Sequence, residues 1–140
     1  SSDLFRDLTE GGQPRSADAI QLTNHFKTSA LFSAAMQMAS VAAGAPLESR
    51  EKLHRFARDL GQAFQLLDDL TDGQSDTGKD AHQDVGKSTL VNMLGSKAVE
   101  KRLRDHLRRA DRHLASACDS GYATRHFVQA WFDKKLAMVG

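Results

Sequence analysis

With 140 residues, 40% of them apolar and 26% charged, the chain has the balance of one ordinary folded domain rather than a disordered segment. Its net formal charge of +1 excludes a nucleic-acid footprint carried by bulk charge, so any anion must be held by locally placed cations. No stretch approaches the roughly 18 uninterrupted apolar residues of a membrane span. The lone cysteine, Cys118, cannot close an internal disulfide, and Ser1-Ser2-Asp3 lacks the basic and apolar signature of a signal peptide. These features lead us to expect a cytoplasmic protein. The opening residue is Ser rather than Met, which suggests a processed or truncated piece.

In chain order, Gly11-Gly12-Gln13-Pro14 is punctuation before the first predicted helix. From about Ser16 to Ala43, residues Ile20, Phe26, Ala30, Leu31, Ala34, Ala35 and Met38 recur at helical spacing, and Gly44 is the expected stop. Its small residues, Ser33-Ala34-Ala35 and Ala42-Ala43, predict close packing and a central position. A second helix is predicted over Leu47–Asp72, with Leu53, Phe56, Ala57, Leu60, Phe64 and Leu67 at steps of three and four, ended by Gly73. The polar, glycine-punctuated segment from Gly73 to Gly86 has no apolar stripe. Long loops of this kind are uncommon in compact domains and are often functional. Ser96 is the expected N-cap of a third helix through Val99, Leu103, Leu107, Ala110, Leu114 and Ala117. The opposite face, Lys101, Arg104, Arg108, Arg109 and Arg112, reads as a solvated surface. Cys118 reads as a small apolar residue on a helix. A last helix holds Phe127, Val128, Trp131, Phe132 and Leu136. Nothing alternates at period two, so the fold class is all-α.

The chemistry concentrates at Asp68-Asp69-Leu70-Thr71-Asp72. On a helix Asp68 and Asp72 share a face, with Gln65 three residues before Asp68. In the predicted helix the three carboxylates occupy the last turn, where the macrodipole disfavours each by about 0.3–1 kcal/mol. A divalent cation offsets that cost economically, because Mg²⁺ takes carboxylate, water and phosphate oxygens. A solvated acidic helix end is the plainer alternative. Downstream, Lys79 and Lys87 are each flanked by glycine and suit the remaining oxygens of a metal-bridged polyphosphate. Gly86-Lys87-Ser88 is not a nucleotide-binding P-loop, since Ala81 stands where that motif needs Gly and no strand precedes it. Lys27-Thr28, mid-helix beside Phe26, is open to a simpler account, a lysine snorkelling to water. The six histidines show no zinc spacing, and no Gly-x-Ser-x-Gly elbow occurs.

Together these motifs carry a resemblance. Phe64-Gln65-Leu66-Leu67-Asp68-Asp69-Leu70-Thr71-Asp72 resembles the second aspartate-rich motif of trans-isoprenyl diphosphate synthases. Lys27-Thr28-x-x-Leu31 resembles the Lys-Thr motif of that family, and Gly86-Lys87-Ser88-Thr89-Leu90 its Gly-Lys-x-Thr-Leu segment. The motifs fall in family order over nearly the whole chain. Gly61-Gln62-Ala63 and Gln129-Ala130-Trp131-Phe132 look most like the bacterial geranylgeranyl diphosphate synthases of carotenoid pathways.

The resemblance implies an isoprenoid-synthase helical bundle, usually dimeric, that condenses an allylic diphosphate with isopentenyl diphosphate using Mg²⁺. It implies that Asp68 binds Mg²⁺ directly, with Asp69 and Asp72 supporting it. Lys27, Lys79 and Lys87 would hold the allylic diphosphate, and Thr28 and Gln65 would point oxygens at the allylic cation. The resemblance also sets Asp7 against the aspartate of an upstream Gln-x-x-Asp element, whose glutamine position holds Leu4 here. Several departures stand out. The other aspartate-rich motif and the basic residues that hold isopentenyl diphosphate are absent from these 140 residues, and Asp3-Leu4 stands where relatives have Gly-Gln. A shortened loop leaves Lys79, Asp80 and Asp84 competing for the family positions. The expectation is that residues 1–140 form the C-terminal half of a single prenyl-synthase domain, inactive alone and leaving apolar stripes uncovered. Two alternatives stay open: a non-catalytic helical partner subunit, and half of a terpene cyclase, whose metal motif Asp68, Asp72 and Asp76 imitate in spacing.

Overall fold

The computed structural model describes residues 17–75 and 89–139, with side chains described over 29–72 and 90–139. The described residues form five helices and no strand: α1 (Ala17–Ala42), α2 (Leu47–Ser75), α3 (Thr89–Leu94), α4 (Ser96–Ala117) and α5 (Tyr122–Val139). None is long and apolar enough to cross a membrane.

The helix boundaries follow backbone chemistry. Gly44 ends α1 at φ +67°, a left-handed conformation that glycine adopts without a Cβ clash, while the Ala45 N–H donates back to the Ser40 carbonyl. The stop expected at Gly73 is not one. α2 runs on to Ser75, since a glycine inside a helix costs only about 1 kcal/mol. Ser96 is likewise not the N-cap but the first residue of α4. Gly95 occupies the cap at φ +84°, with no side-chain cap bond, because the bend between α3 and α4 needs a positive φ. At the far end, Cys118 is an exposed C-cap in extended conformation, not a packed helical residue.

α2 is the central element, packed most extensively on α4 and next on α1. Ala63, Leu66, Leu67 and Leu70 of α2 meet Val99, Leu103 and Leu107 of α4 and Phe132 and Leu136 of α5. A second cluster joins Phe56 to Ala110 and Leu114. Phe64 is an aromatic hub, 5.3 Å from Phe32, 5.0 Å from Trp131 and 5.2 Å from Phe132 between ring centroids. The central position expected for α1 is not observed. α1 buries Ser29, Ser33 and Ser40 but leaves Leu31, Met38 and Val41 72%, 74% and 57% exposed.

Part of the basic run on α4 is engaged rather than merely solvated. Arg104 contacts Glu100 and Asp133, Arg108 pairs with Asp105, and Arg109 reaches Asp59 on α2. Arg125 of α5 grips Asp111 of α4 through two bonds of 2.9 and 3.0 Å.

Candidate functional site: an aspartate-bearing helix beside the Lys-Thr turn

The aspartates lie in the C-terminal half of α2. At 100° per residue, Gln65, Asp68 and Asp72 fall within roughly 60° of arc, and Asp68 and Asp72 are separated by about 6 Å of rise. Asp68 is exposed and Asp72 and Gln65 are partly buried, whereas Asp69 is 5% exposed and turned toward the interior. Each of these four side chains has an interaction partner.

One sequence expectation changes here. Because α2 continues to Ser75, only Asp72 lies in the last turn, so the unfavourable macrodipole falls mainly on that residue. Asp68 and Asp69 sit a turn further in. Moreover, among the described residues no three histidine, cysteine, aspartate or glutamate side chains converge on a possible metal position. The donor set still fits Mg²⁺, an ion usually held through one or two carboxylates while substrate phosphates and water complete its octahedron. The exposed Asp68 and the half-buried Asp72, one turn apart, offer that pair.

α1 brings the second motif alongside. The contacts Ser29–Gln62 and Gln37–His54 run in opposite directions along the two helices, so α1 is antiparallel to α2. That register sets the Lys27-Thr28 turn of the α1 backbone level with the turn of α2 carrying Phe64 and Gln65. The side chains of Lys27 and Thr28 lie outside the described residues, as do Asp7, Asp76, Lys79, Asp80, Asp84 and Lys87 altogether. The chain re-enters at α3, whose Leu90 and Val91 pack against the cluster containing Leu66, Leu67 and Leu70. The end of the Gly86–Leu90 segment thus returns to the aspartate-bearing half of α2.

Sequence reasoning missed a polar cluster between α2 and α4. Asp59, 15% exposed at its side chain, lies 2.8 Å from His106 Nδ1, 3.3 Å from Arg109 Nε and 3.6 Å from His113 Nε2. Burial pushes the Asp59 carboxyl up, but the hydrogen bonds and charges of His106 and Arg109 together hold it below the ordinary carboxylate value. The available signal was the seven-residue spacing of His106 and His113, which puts both on one side of α4. Also missed was the α1–α2 crossing at Ser29, Gly61 and Gln62.

The described residues thus form a helical protein whose central helix carries paired carboxylates beside the helix that bears the Lys-Thr turn. The chain belongs to the polyprenyl synthetase family, whose profile matches residues 7–120. It is 69% identical over 135 residues to the geranylgeranyl diphosphate synthase of Pantoea ananas, covering 96% of this chain and 45% of that protein. To the geranylgeranyl diphosphate synthase of Pseudescherichia vulneris it is 52% identical over 133 residues, covering 95% and 43%. To the farnesyl diphosphate synthase of Escherichia coli (strain K12) it is 31% identical over 124 residues, covering 84% and 42%. The chain spans less than half the length of these relatives.

Proposed function

We propose that this chain supplies one metal–diphosphate half-site of a geranylgeranyl diphosphate synthase, a prenyltransferase joining isopentenyl diphosphate to an allylic diphosphate. The observation that carries the reading is the pair Asp68 and Asp72 on one face of α2, with Gln65 one turn before them and the Lys27-Thr28 turn of α1 level with the turn that carries Gln65. Family membership and 69% identity to a geranylgeranyl diphosphate synthase favour this reading over the partner-subunit and cyclase alternatives.

In the reaction a carbon–oxygen bond of the allylic diphosphate must ionise, and the developing negative charge on the leaving group must be met by charges already in place. Mg²⁺ bound at Asp68 and Asp72 would neutralise part of that charge. Lys27, Lys79 and Lys87 would hold the remaining phosphate oxygens as point charges. Asp69, buried beside Leu66 and Leu70, would act as a support for its neighbours rather than as an open ligand. Thr28 and Gln65 would direct oxygens toward the allylic cation, and the rings of Phe32, Phe64 and Trp131 would help keep water away from it. The second aspartate-rich element and the isopentenyl diphosphate site would come from the remaining length that the relatives possess. A homodimer, a cytoplasmic location and a place in carotenoid biosynthesis belong to the same proposal.

A thermal-shift titration tests it. Mg²⁺ and inorganic pyrophosphate together should raise the melting temperature by several degrees, since a ligand at 100 times its Kd stabilises the folded state by about 2.7 kcal/mol. Either component alone should do much less. No shift with both present would overturn the reading.

A further inference from the structure

α1 and α2 come close together at Ser29, the residue that follows Lys27-Thr28. A Cβ placed on Gly61 would sit 3.0 Å from Ser29 Cα, 3.2 Å from Ser29 Oγ and 3.4 Å from Phe32, so the helices meet backbone to backbone there. Beside that contact, Gln62 Nε2 donates to Ser29 Oγ at 3.0 Å, and Ser29 is buried. Small residues alone let two helices approach but also let them slide. A directional hydrogen bond at the crossing removes that freedom, because it is lost as the donor and acceptor move out of line. Sliding by one residue displaces one helix by about 1.5 Å. Misplacements of about 1 Å at a reacting centre can cost on the order of 100-fold.

We infer that Ser29 and Gln62, closed over Gly61, are positioning residues that fix the height of the Lys27-Thr28 turn against the Gln65–Asp72 face of α2. The inference rests on the half-site reading for its consequence, but its geometric claim stands separately. Ser29 is adjacent to Thr28, and Gln62 lies three residues before Gln65 and six before Asp68, all on continuous helices. The pin therefore transmits its register directly to both motifs, without touching substrate or metal.

Two measurements on the full chain test this. In a Cys118→Ser background, spin labels at Asn24→Cys and Thr71→Cys report the α1–α2 register by double electron–electron resonance. The parent should give one narrow distance distribution. Ser29→Ala and Gln62→Leu should each broaden or shift it. Gln62→Glu, which can accept a hydrogen bond from the Ser29 hydroxyl, should restore it. In parallel, calorimetric titration with inorganic pyrophosphate and Mg²⁺ should show about tenfold weaker binding for Ser29→Ala and Gln62→Leu (a factor of 10 being about 1.4 kcal/mol), with melting temperatures within a few degrees of the parent. An unchanged distance distribution in both variants would overturn the pin. So would a binding loss that merely tracks the fall in melting temperature. If the unmutated chain bound no pyrophosphate with Mg²⁺, the half-site reading would fail while the distance measurement still decided the pin.

Discussion

Asp68 and Asp69 are neighbours in sequence and opposites in environment, one exposed and the other 5% exposed among Leu66, Leu67 and Leu70. Substitutions should separate them. Asp68→Asn should leave stability within about 0.5 kcal/mol of the parent, as surface changes usually do, and yet abolish Mg²⁺-dependent pyrophosphate binding. Asp69→Ala should cost about 1–3 kcal/mol, because it strands the polar surroundings of a buried carboxylate. Urea unfolding alongside a binding titration distinguishes the two. The spacing in the sequence placed Asp68 and Asp72 on one face, and that face exists. Spacing did not show that Asp69 turns inward, since its burial is set by where α4 packs along the Leu66–Leu70 stripe, a tertiary fact.

Among the helices, those with a long apolar stripe or a glycine in a positive-φ stop were legible: α1 ends where Gly44 predicts, and α4 buries Val99, Leu103, Leu107, Ala110 and Leu114 of its stripe while leaving Ala117 at the helix end partly exposed. α3 was not, because six residues are too few to display a period. α2 extends past Gly73, the stop its sequence predicts, because the glycine is accommodated within the helix. Two predictions belong at this scale. Gly61→Ala should lower the melting temperature by several degrees. The added methyl meets the Ser29 backbone, which cannot rotate away, and overpacking of about 1–3 kcal/mol outweighs the gain of up to about 1 kcal/mol in helix propensity. The second concerns α4 and α5. The Arg125 hydrogen bonds hold the Asp111 carboxyl below its ordinary value of 3.8, outweighing burial. A carboxyl whose folded value is depressed stabilises fully above the unfolded value and loses that contribution as pH falls through the folded one. Asp111→Asn should therefore melt earlier than the parent at pH 6–7, and the gap should close as pH drops below the carboxylate range. A gap independent of pH down to pH 2 would contradict the pairing.

For the molecule as a whole, the uncovered side chains matter most. Leu31, Met38 and Val41 on α1 and Phe127 and Met138 on α5 are all more than half exposed, an apolar surface that a folded protein normally covers. The chain alone should therefore associate with itself, and light scattering coupled to gel filtration should give a mass above 15.4 kDa. A monodisperse monomer would contradict that. The family motifs were readable from sequence because they are local runs on helices. Their assembly is tertiary: α1 and α2 come together in an antiparallel register that no local run encodes. The claim on which everything turns is that Asp68 and Asp72 share a divalent ion with a diphosphate, and Mn²⁺ in place of Mg²⁺ allows it to be watched directly. The six-line electron paramagnetic resonance signal of free Mn²⁺ should fall when the chain and pyrophosphate are mixed, well beyond the fall that pyrophosphate alone produces. Asp68→Asn should remove that extra loss. An unchanged signal with the parent chain, or an equal loss with the variant, would contradict the account.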